Sequence, residues 1–172
     1  MTAGAEGSVY SAFERAVAAH GTRPFLRTPA VSAAAYADGA VEYTYDATKA
    51  RVDELLKGYG AQGLAAGDRV AIAFDSRLEV YLHLLALNAL GVSIVPLNSG
   101  ATDDELRHII GHSDARLLVS LPDYEARLAA LDICKVLTES TLVDDAAIPQ
   151  FAEPSSSAEA ALLYTSGPTG KP

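Results

Sequence analysis

Residues 69–97 read RVAIAFDSRLEVYLHLLALNALGVSIVPL, and this stretch decides the fold. Arg69–Phe74 is a short apolar run, β-branched in part, of the kind that forms a buried strand. Ser76-Arg77-Leu78-Glu79 has the spacing of a capping box and opens a strongly apolar helix that ends at Gly91. Val92–Leu97 is the next strand, with Pro96 near its end. Downstream, Thr102-Asp103-Asp104-Glu105 caps a helix to about His112, and Ala115–Leu121 (ARLLVSL) is a third strand. A helix near Pro122–Leu131 and a strand near Lys135–Thr138 follow. Strands and helices alternating at this spacing imply βαβ crossovers, hence an α/β fold with a mostly parallel sheet and helices on both faces.

Upstream the pattern differs. Ser8–His20 has helical spacing, with Val9, Phe13, Ala16 and Val17 on one side; Ser11 with Glu14 fits a capping box, and Ser8 is an equally good cap. Ala33–Ala37 and Val41–Tyr45 flank Asp38-Gly39, a dipeptide suited to a positive-φ turn, which predicts a small β-hairpin. Asp46 opens a helix to about Lys57, with Val52, Leu55 and Leu56 facing inward.

The chain has 172 residues, 49% hydrophobic and 20% charged, which is globular composition and long enough to bury a core. A formal net charge of −9 argues against a nucleic-acid partner and against an anionic membrane surface. A small anionic ligand stays open, because backbone N–H groups bind phosphate without help from net charge. Cys134 is the one cysteine, so there is no internal disulfide; its neighbours Ile133 and Val136 suggest an inert thiol. The N-terminus has no basic and apolar leader pattern, and the apolar stretch around Leu82–Leu90 is too short to span a bilayer. The expected location is cytoplasmic.

Thr141–Ala158 turn acidic and Pro- and Ser-containing, which reads as a surface loop over residues 140–159. An apolar run, Ala160–Tyr164, then meets Thr165-Ser166-Gly167-Pro168-Thr169-Gly170-Lys171-Pro172. A buried strand followed by such a turn ought to lead onward, so the expectation is an incomplete N-terminal subdomain over 1–172 with the start of a phosphate-binding loop at 164–172. Glycines let the turn's N–H groups converge on one spot, and the hydroxyls add bonds to oxyanions. The Walker spacing is absent, and an isolated SGxTG is as readily a bland surface turn.

Other features have simpler readings. Gly58-Tyr59-Gly60-Ala61-Gln62-Gly63 spells GxGxxG, but a helix precedes it and a strand follows, the reverse of a dinucleotide site. His108 and His112 lack a third metal ligand, so no metal residue is assigned. His83 reads as a hydrogen-bonded histidine, and Asp103, Asp104 and Glu105 as charges that a helix N-terminus favours. Tyr36, Tyr43, Tyr45 and Tyr81 lack basic interleaving and make no stacking platform.

Tyr-Thr-Ser-Gly-x-Thr-Gly-x-Pro at Tyr164–Pro172 resembles the signature loop of the adenylate-forming superfamily: acyl-CoA synthetases, luciferases and peptide-synthetase adenylation domains. Gly67-Asp68-Arg69-Val70-Ala71-Ile72 is similar to the family's GDRVAI strand entry. Leu90-Gly91-Val92 through Val95-Pro96-Leu97-Asn98 is similar to its GAVxVPLNP segment, and Thr102–Leu106 through Ser113-Asp114-Ala115 to the element before its LLVS strand. The resemblance covers nearly the whole chain and implies the N-terminal part of the large domain. It further implies an AMP-forming carboxylate–CoA ligase using ATP, Mg²⁺ and coenzyme A on a fatty or aromatic acid. Thr165, Ser166, Gly167, Thr169 and Gly170 would then hold the β- and γ-phosphates.

Two departures stand out. Pro168 replaces a Ser or Thr, removing a hydroxyl and an N–H; a lost bond to a charged group costs about 1.5–3 kcal/mol, roughly ten- to a hundredfold. The family lysine would follow Pro172, and Lys171 does not take its role. No catalytic residue is identifiable, and the isolated chain is not expected to turn over. Two alternatives remain: a non-catalytic structural or oligomerising module, and part of an adenylation domain serving a carrier protein. A homo-oligomer is compatible with each.

Overall fold

The computed structural model describes residues 7–142 and 147–165. Its centre is a four-stranded, wholly parallel sheet of β3 (Arg69–Ala73), β4 (Ser93–Pro96), β5 (Leu117–Ser120) and β6 (Lys135–Thr138), in the order β4-β3-β5-β6. Helices α4 (Glu79–Ala89), α5 (Asp103–His112) and α6 (Pro122–Ala129) make the connections. Successive side chains of a strand point to opposite faces, so one strand feeds two cores. Val70, Ile72 and Phe74 enter the larger core with Leu117 and Val119, while Ala71 and Ala73 join Leu118, Val95 and Leu97 in the smaller one. The larger core is covered by α4, by α1 (Val9–His20) and by α3 (Tyr45–Gly60). Leu106, Ile109 and Ile110 of α5 and Leu128 of α6 close the smaller. The doubly covered parallel sheet follows from the sequence pattern.

Helix ends explain the boundaries. Ser8 caps α1 by accepting from the Ser11 N–H at 3.1 Å, so the earlier of the two candidate caps is used. Thr102 caps α5 with both bonds of the capping box, its own backbone N–H reaching Glu105 Oε2 at 2.8 Å. Gly91, at φ 71°, ends α4 in a Schellman arrangement: Val92 N–H bonds Leu87 O at 2.9 Å and Gly91 N–H bonds Asn88 O at 3.1 Å. By contrast, Ser76 does not cap α4. The N-cap position falls to Leu78, without a side-chain bond, because the buried Leu78 side chain sets where the helix can start.

The hairpin exists with a different first strand. β2 (Val41–Thr44) pairs antiparallel with β1 (Pro24–Thr28), not with Ala33–Ala37. The alanines instead form the single turn α2 (Ala30–Ala33) and a further turn, with Tyr36 and Ala37 N–H both bonding Ala33 O. Their helix preference outweighs the turn signal of Asp38-Gly39. Thr44, not Asp46, caps α3, accepting from Ala47 N–H at 3.1 Å. Within 140–159, a turn of helix α7 (Glu139–Leu142) buries Leu142, and Phe151 packs edge-on to Tyr10; the remaining described residues there are irregular. Among the described residues, no helix is long and apolar enough to cross a membrane.

Candidate functional site

In an open parallel sheet, ligands collect outside the carboxyl ends of the strands. At that edge β3 leads into Asp75, which adopts φ 54°, and β4 leads into Asn98 and Ser99. The Asp75 carboxylate accepts from Ser99 Oγ and from Tyr124 Oη, the latter at 2.9 Å. Arg127 holds the loop after β4 from below, donating to Ser99 O at 2.9 Å, Ala101 O at 2.6 Å and Asp103 Oδ1 at 2.9 Å. Asn98 Oδ1 takes the Gly100 N–H at 3.0 Å. Asp75, Ser99, Tyr124, Arg127 and Asp103 are thus bound to one another at this rim.

The stretch before Thr165 arrives beside β4. Ile94 N–H bonds Ala160 O at 3.2 Å and Leu162 N–H bonds Ile94 O at 2.9 Å, a parallel bridge centred on Ala161. Parallel pairing points this segment in the direction of β4, from the amino to the carboxyl edge of the sheet. It is not the buried strand expected from its apolar composition: Leu163 is 69% exposed, and the pairing stops at one bridge. Among the described residues it has a strand on one side only, so half of its surface lacks a cover. Tyr164 turns onto the smaller core, its hydroxyl 2.7 Å from His112 Nδ1. Burial pushes that hydroxyl above its ordinary value, with Arg69 opposing.

Polar contacts anchor the segment's start. Arg69 Nε and Nη2 reach the Glu159 carboxylate at 2.7 and 3.1 Å, and Nη1 reaches Ser113 O at 3.1 Å. The Arg69 guanidinium holds the Glu159 carboxyl below the usual carboxylate range. The buried Asn88 amide donates to Val92 O at 3.3 Å and to Ala160 O at 3.0 Å. Of the phosphate residues named from the sequence, the structure places Thr165, exposed, at the end of this segment. Ser166, Gly167, Thr169 and Gly170, with Pro168 and Lys171, lie outside the described residues.

The alternative features resolve simply. Gly58 and Gly60 belong to the end of α3 and Gly63 takes φ 66°, so GxGxxG is a helix end and loop. His83 is fully buried, its Nδ1 2.7 Å from Tyr59 Oη. Glu139 Oε2 lies 3.6 Å from His83 Nε2. His83, then Arg51, holds the Glu139 carboxyl below its ordinary range while burial opposes them. Backbone and side-chain bonds from Thr102 lower the Glu105 carboxyl in the same direction, as a capping role requires. Cys134 is half-buried and burial raises its thiol, consistent with an inert role. Tyr36 lies under the Arg77 guanidinium at 4.6 Å and Tyr45 stacks on Phe25 at 4.4 Å, which gives both a packing role. No group of three or more potential metal ligands occurs among the described residues.

Sequence reasoning missed Asp75, Arg127, Asn88 and the Arg69–Glu159 pair. Asn88 alone carried a signal, as a polar amide inside a strongly apolar helix.

Comparison with known proteins agrees with this geometry. The family model described as AMP-binding enzyme matches residues 13–172. A sulfoacetate–CoA ligase of Cupriavidus necator is 31% identical over 164 residues, covering 87% of this chain and 30% of the ligase. Surfactin synthase subunit 2 of Bacillus subtilis is 29% identical over 147 residues, 85% of this chain and 4% of the synthase. Among solved structures, the Klebsiella oxytoca NpsA N-terminal subdomain superposes with a TM-score of 0.77 at 24% identity, over 97% of this chain and 41% of that one. The chain therefore spans less than a third of the length of these curated relatives.

Proposed function

The chain belongs to the AMP-binding enzyme family, and from that premise we propose that it is the N-terminal part of a ligase that joins carboxylic acids to coenzyme A through an acyl-adenylate. In the first half-reaction a carboxylate oxygen attacks the α-phosphorus of ATP, the α–β phosphoanhydride bond breaks, and pyrophosphate leaves. In the second, the thiolate of coenzyme A attacks the acyl carbonyl and AMP leaves. This chain's share falls in the first. Hydroxyls of Thr165, Ser166 and Thr169 and backbone N–H groups of Gly167 and Gly170 donate to the β- and γ-phosphates. Negative charge grows on the departing pyrophosphate, so donors fixed around it stabilise the transition state more than the ground state. Mg²⁺ enters with ATP as its substrate complex.

The observation that supports this reading is the parallel entry of Ala160–Leu162 beside β4, which directs the chain toward Thr165 and the carboxyl edge. The similarity to a CoA ligase over most of the chain favours coenzyme A as acceptor. The similarity to a surfactin synthase subunit supports a second reading, transfer of the acyl group to a carrier protein.

An acid panel with ATP, scored for AMP release with coenzyme A or a carrier protein as acceptor, tests the reading in the enzyme that contains this chain. Thr165→Ala, Ser166→Ala and Thr169→Ala together should slow adenylation by about ten- to a hundredfold or more, from the loss of bonds to a charged group. Adenylation that is unchanged in the triple variant overturns the role of the loop. Pro168→Thr should alter the ATP-dependent half-reaction and leave folding alone.

A further inference from the structure

The segment that ends at Thr165 has one backbone bridge to the sheet, yet side chains from three different elements hold it. Before the bridge, Arg69 at the start of β3 forks onto Glu159 and also binds Ser113 O, the residue that follows α5. At the bridge, Asn88 of α4 donates to Ala160 O, the same carbonyl that accepts the Ile94 N–H. After the bridge, His112 in the last turn of α5 meets the Tyr164 hydroxyl at 2.7 Å. Arg69 and His112 thereby bind the end of α5 to both sides of the bridge.

Asn88 is the informative member. It sits between Leu87 and Ala89, both buried, in a helix whose other buried residues are apolar apart from His83, which bonds Tyr59 instead. A buried amide is costly unless it is bonded, and an apolar residue would serve packing alone. Its two acceptors are the Val92 carbonyl just past the Schellman end of α4 and the Ala160 carbonyl of the returning segment, 72 residues away in sequence from Asn88. It therefore joins the end of a rigid helix to the segment, where an apolar side chain would only fill space.

We infer that Arg69, Asn88 and His112 are positioning residues that fix the register and exit direction of the segment carrying Thr165. The inference rests on the reading of Thr165 as a phosphate ligand for its functional meaning, and on contacts alone for its physical content. Without these ties, a single bridge with one open side leaves the segment free to shift past β4. Thr165 would then leave the sheet at no fixed angle, and donors spread over several directions lose the preorganisation that charge stabilisation needs.

The test is amide hydrogen exchange of this chain by NMR, comparing the Leu162 and Ile94 amides, which make the bridge, with the Val119 amide of the interior ladder. Asn88→Leu and Arg69→Lys should each speed exchange at Leu162 and Ile94 by about three- to tenfold, the net worth of one hydrogen bond, and leave Val119 unchanged. His112→Ala should do the same, and His112→Asn, whose amide lies where Nδ1 did and can bond the Tyr164 hydroxyl, should restore most of the protection. Exchange that is unchanged at Leu162, or that rises equally at Val119, overturns the inference, since the residues would then act on stability alone. Should Asn88→Leu fail to fold, Arg69→Lys and the His112 pair still decide the question. Magnesium-ATP is then titrated into the enzyme that contains this chain while the Thr165 amide shift is followed. If wild type shows no shift while the exchange pattern holds, the nucleotide reading fails and the positioning role stands.

Discussion

Two four-residue runs, Leu117–Ser120 (LLVS) and Ala160–Leu163 (AALL), carry similar apolar character and have opposite fates. The first is β5, fully buried with a parallel strand on each side. The second has one neighbour, one bridge and an exposed leucine. Composition made both look like buried strands. Burial was conferred by neighbours: β5 has two ladders and a helix layer on each face, whereas the later run meets only the β4 edge. The interior is held by apolar contact, which is non-directional; the edge segment packs Leu162 and Tyr164 partly on the smaller core and adds hydrogen bonds with Arg69, Asn88 and His112, which fix direction. A loop that must aim donors at phosphate benefits more from the second kind of attachment.

The comparison breaks most sharply under one substitution made twice. Leu118 is buried in the smaller core, and Leu118→Ala should cost about 2–5 kcal/mol in urea unfolding, since the lost methyl groups leave a cavity in a packed layer. Leu162 only partly covers the same core, so Leu162→Ala should cost about 1 kcal/mol or less. Equal losses would mean that the edge segment is as integral as β5.

A smaller effect probes the cover over the interior strands. Gly58 lies in α3 where a Cβ would stand 2.2 Å from the Leu142 carbonyl oxygen, so α3 and α7 touch through backbone. Gly58→Ala gains about 1 kcal/mol of helix propensity and forces that contact apart, at about 1–3 kcal/mol or more. The net should be a loss of stability, seen as a lower unfolding midpoint. A gain would show that α7 moves aside freely and that Leu142 contributes little.

Smaller again, Thr102→Ala removes the N-cap of α5 and should cost about 1 kcal/mol, with exchange rising in the first turn before His112 is affected.

These effects also mark what the sequence could disclose. The parallel sheet was legible because RVAIA, SIVP and LLVS are continuous apolar runs, the mark of strands covered on both faces. The Thr102 box was legible because both partners lie within one helical turn. The first hairpin strand was not: PFLRT begins with proline, contains an arginine and alternates weakly, while the nearby Asp-Gly drew the turn toward itself. Asp75, Arg127 and the Arg69–Glu159 pair were illegible for another reason. Their partners lie 24 to 90 residues away and are brought together only by the sheet. The chemistry of the loop showed locally, and the contacts that aim it did not.

The smallest effect is set by pH, and its sign follows from Glu159. Arg69 holds this carboxyl below the usual range in the folded chain. A group with a depressed folded pKa contributes stability that is fully present above its unfolded value, about 4.3, and is lost as pH falls through the folded value. The Arg69–Glu159 tie should therefore be intact at neutral pH and weaken below about pH 4. Both side chains are partly exposed, at 31% and 43%, so solvent screening limits the pair to about 0–1 kcal/mol and global stability should hardly register it. The Leu162 amide shift should register it, as an acid-dependent step that Glu159→Gln abolishes and that the Val119 amide does not share. A step of equal size at Val119 would mean that acid loosens the interior and the edge together, and the contrast between the two runs would then be one of exposure alone.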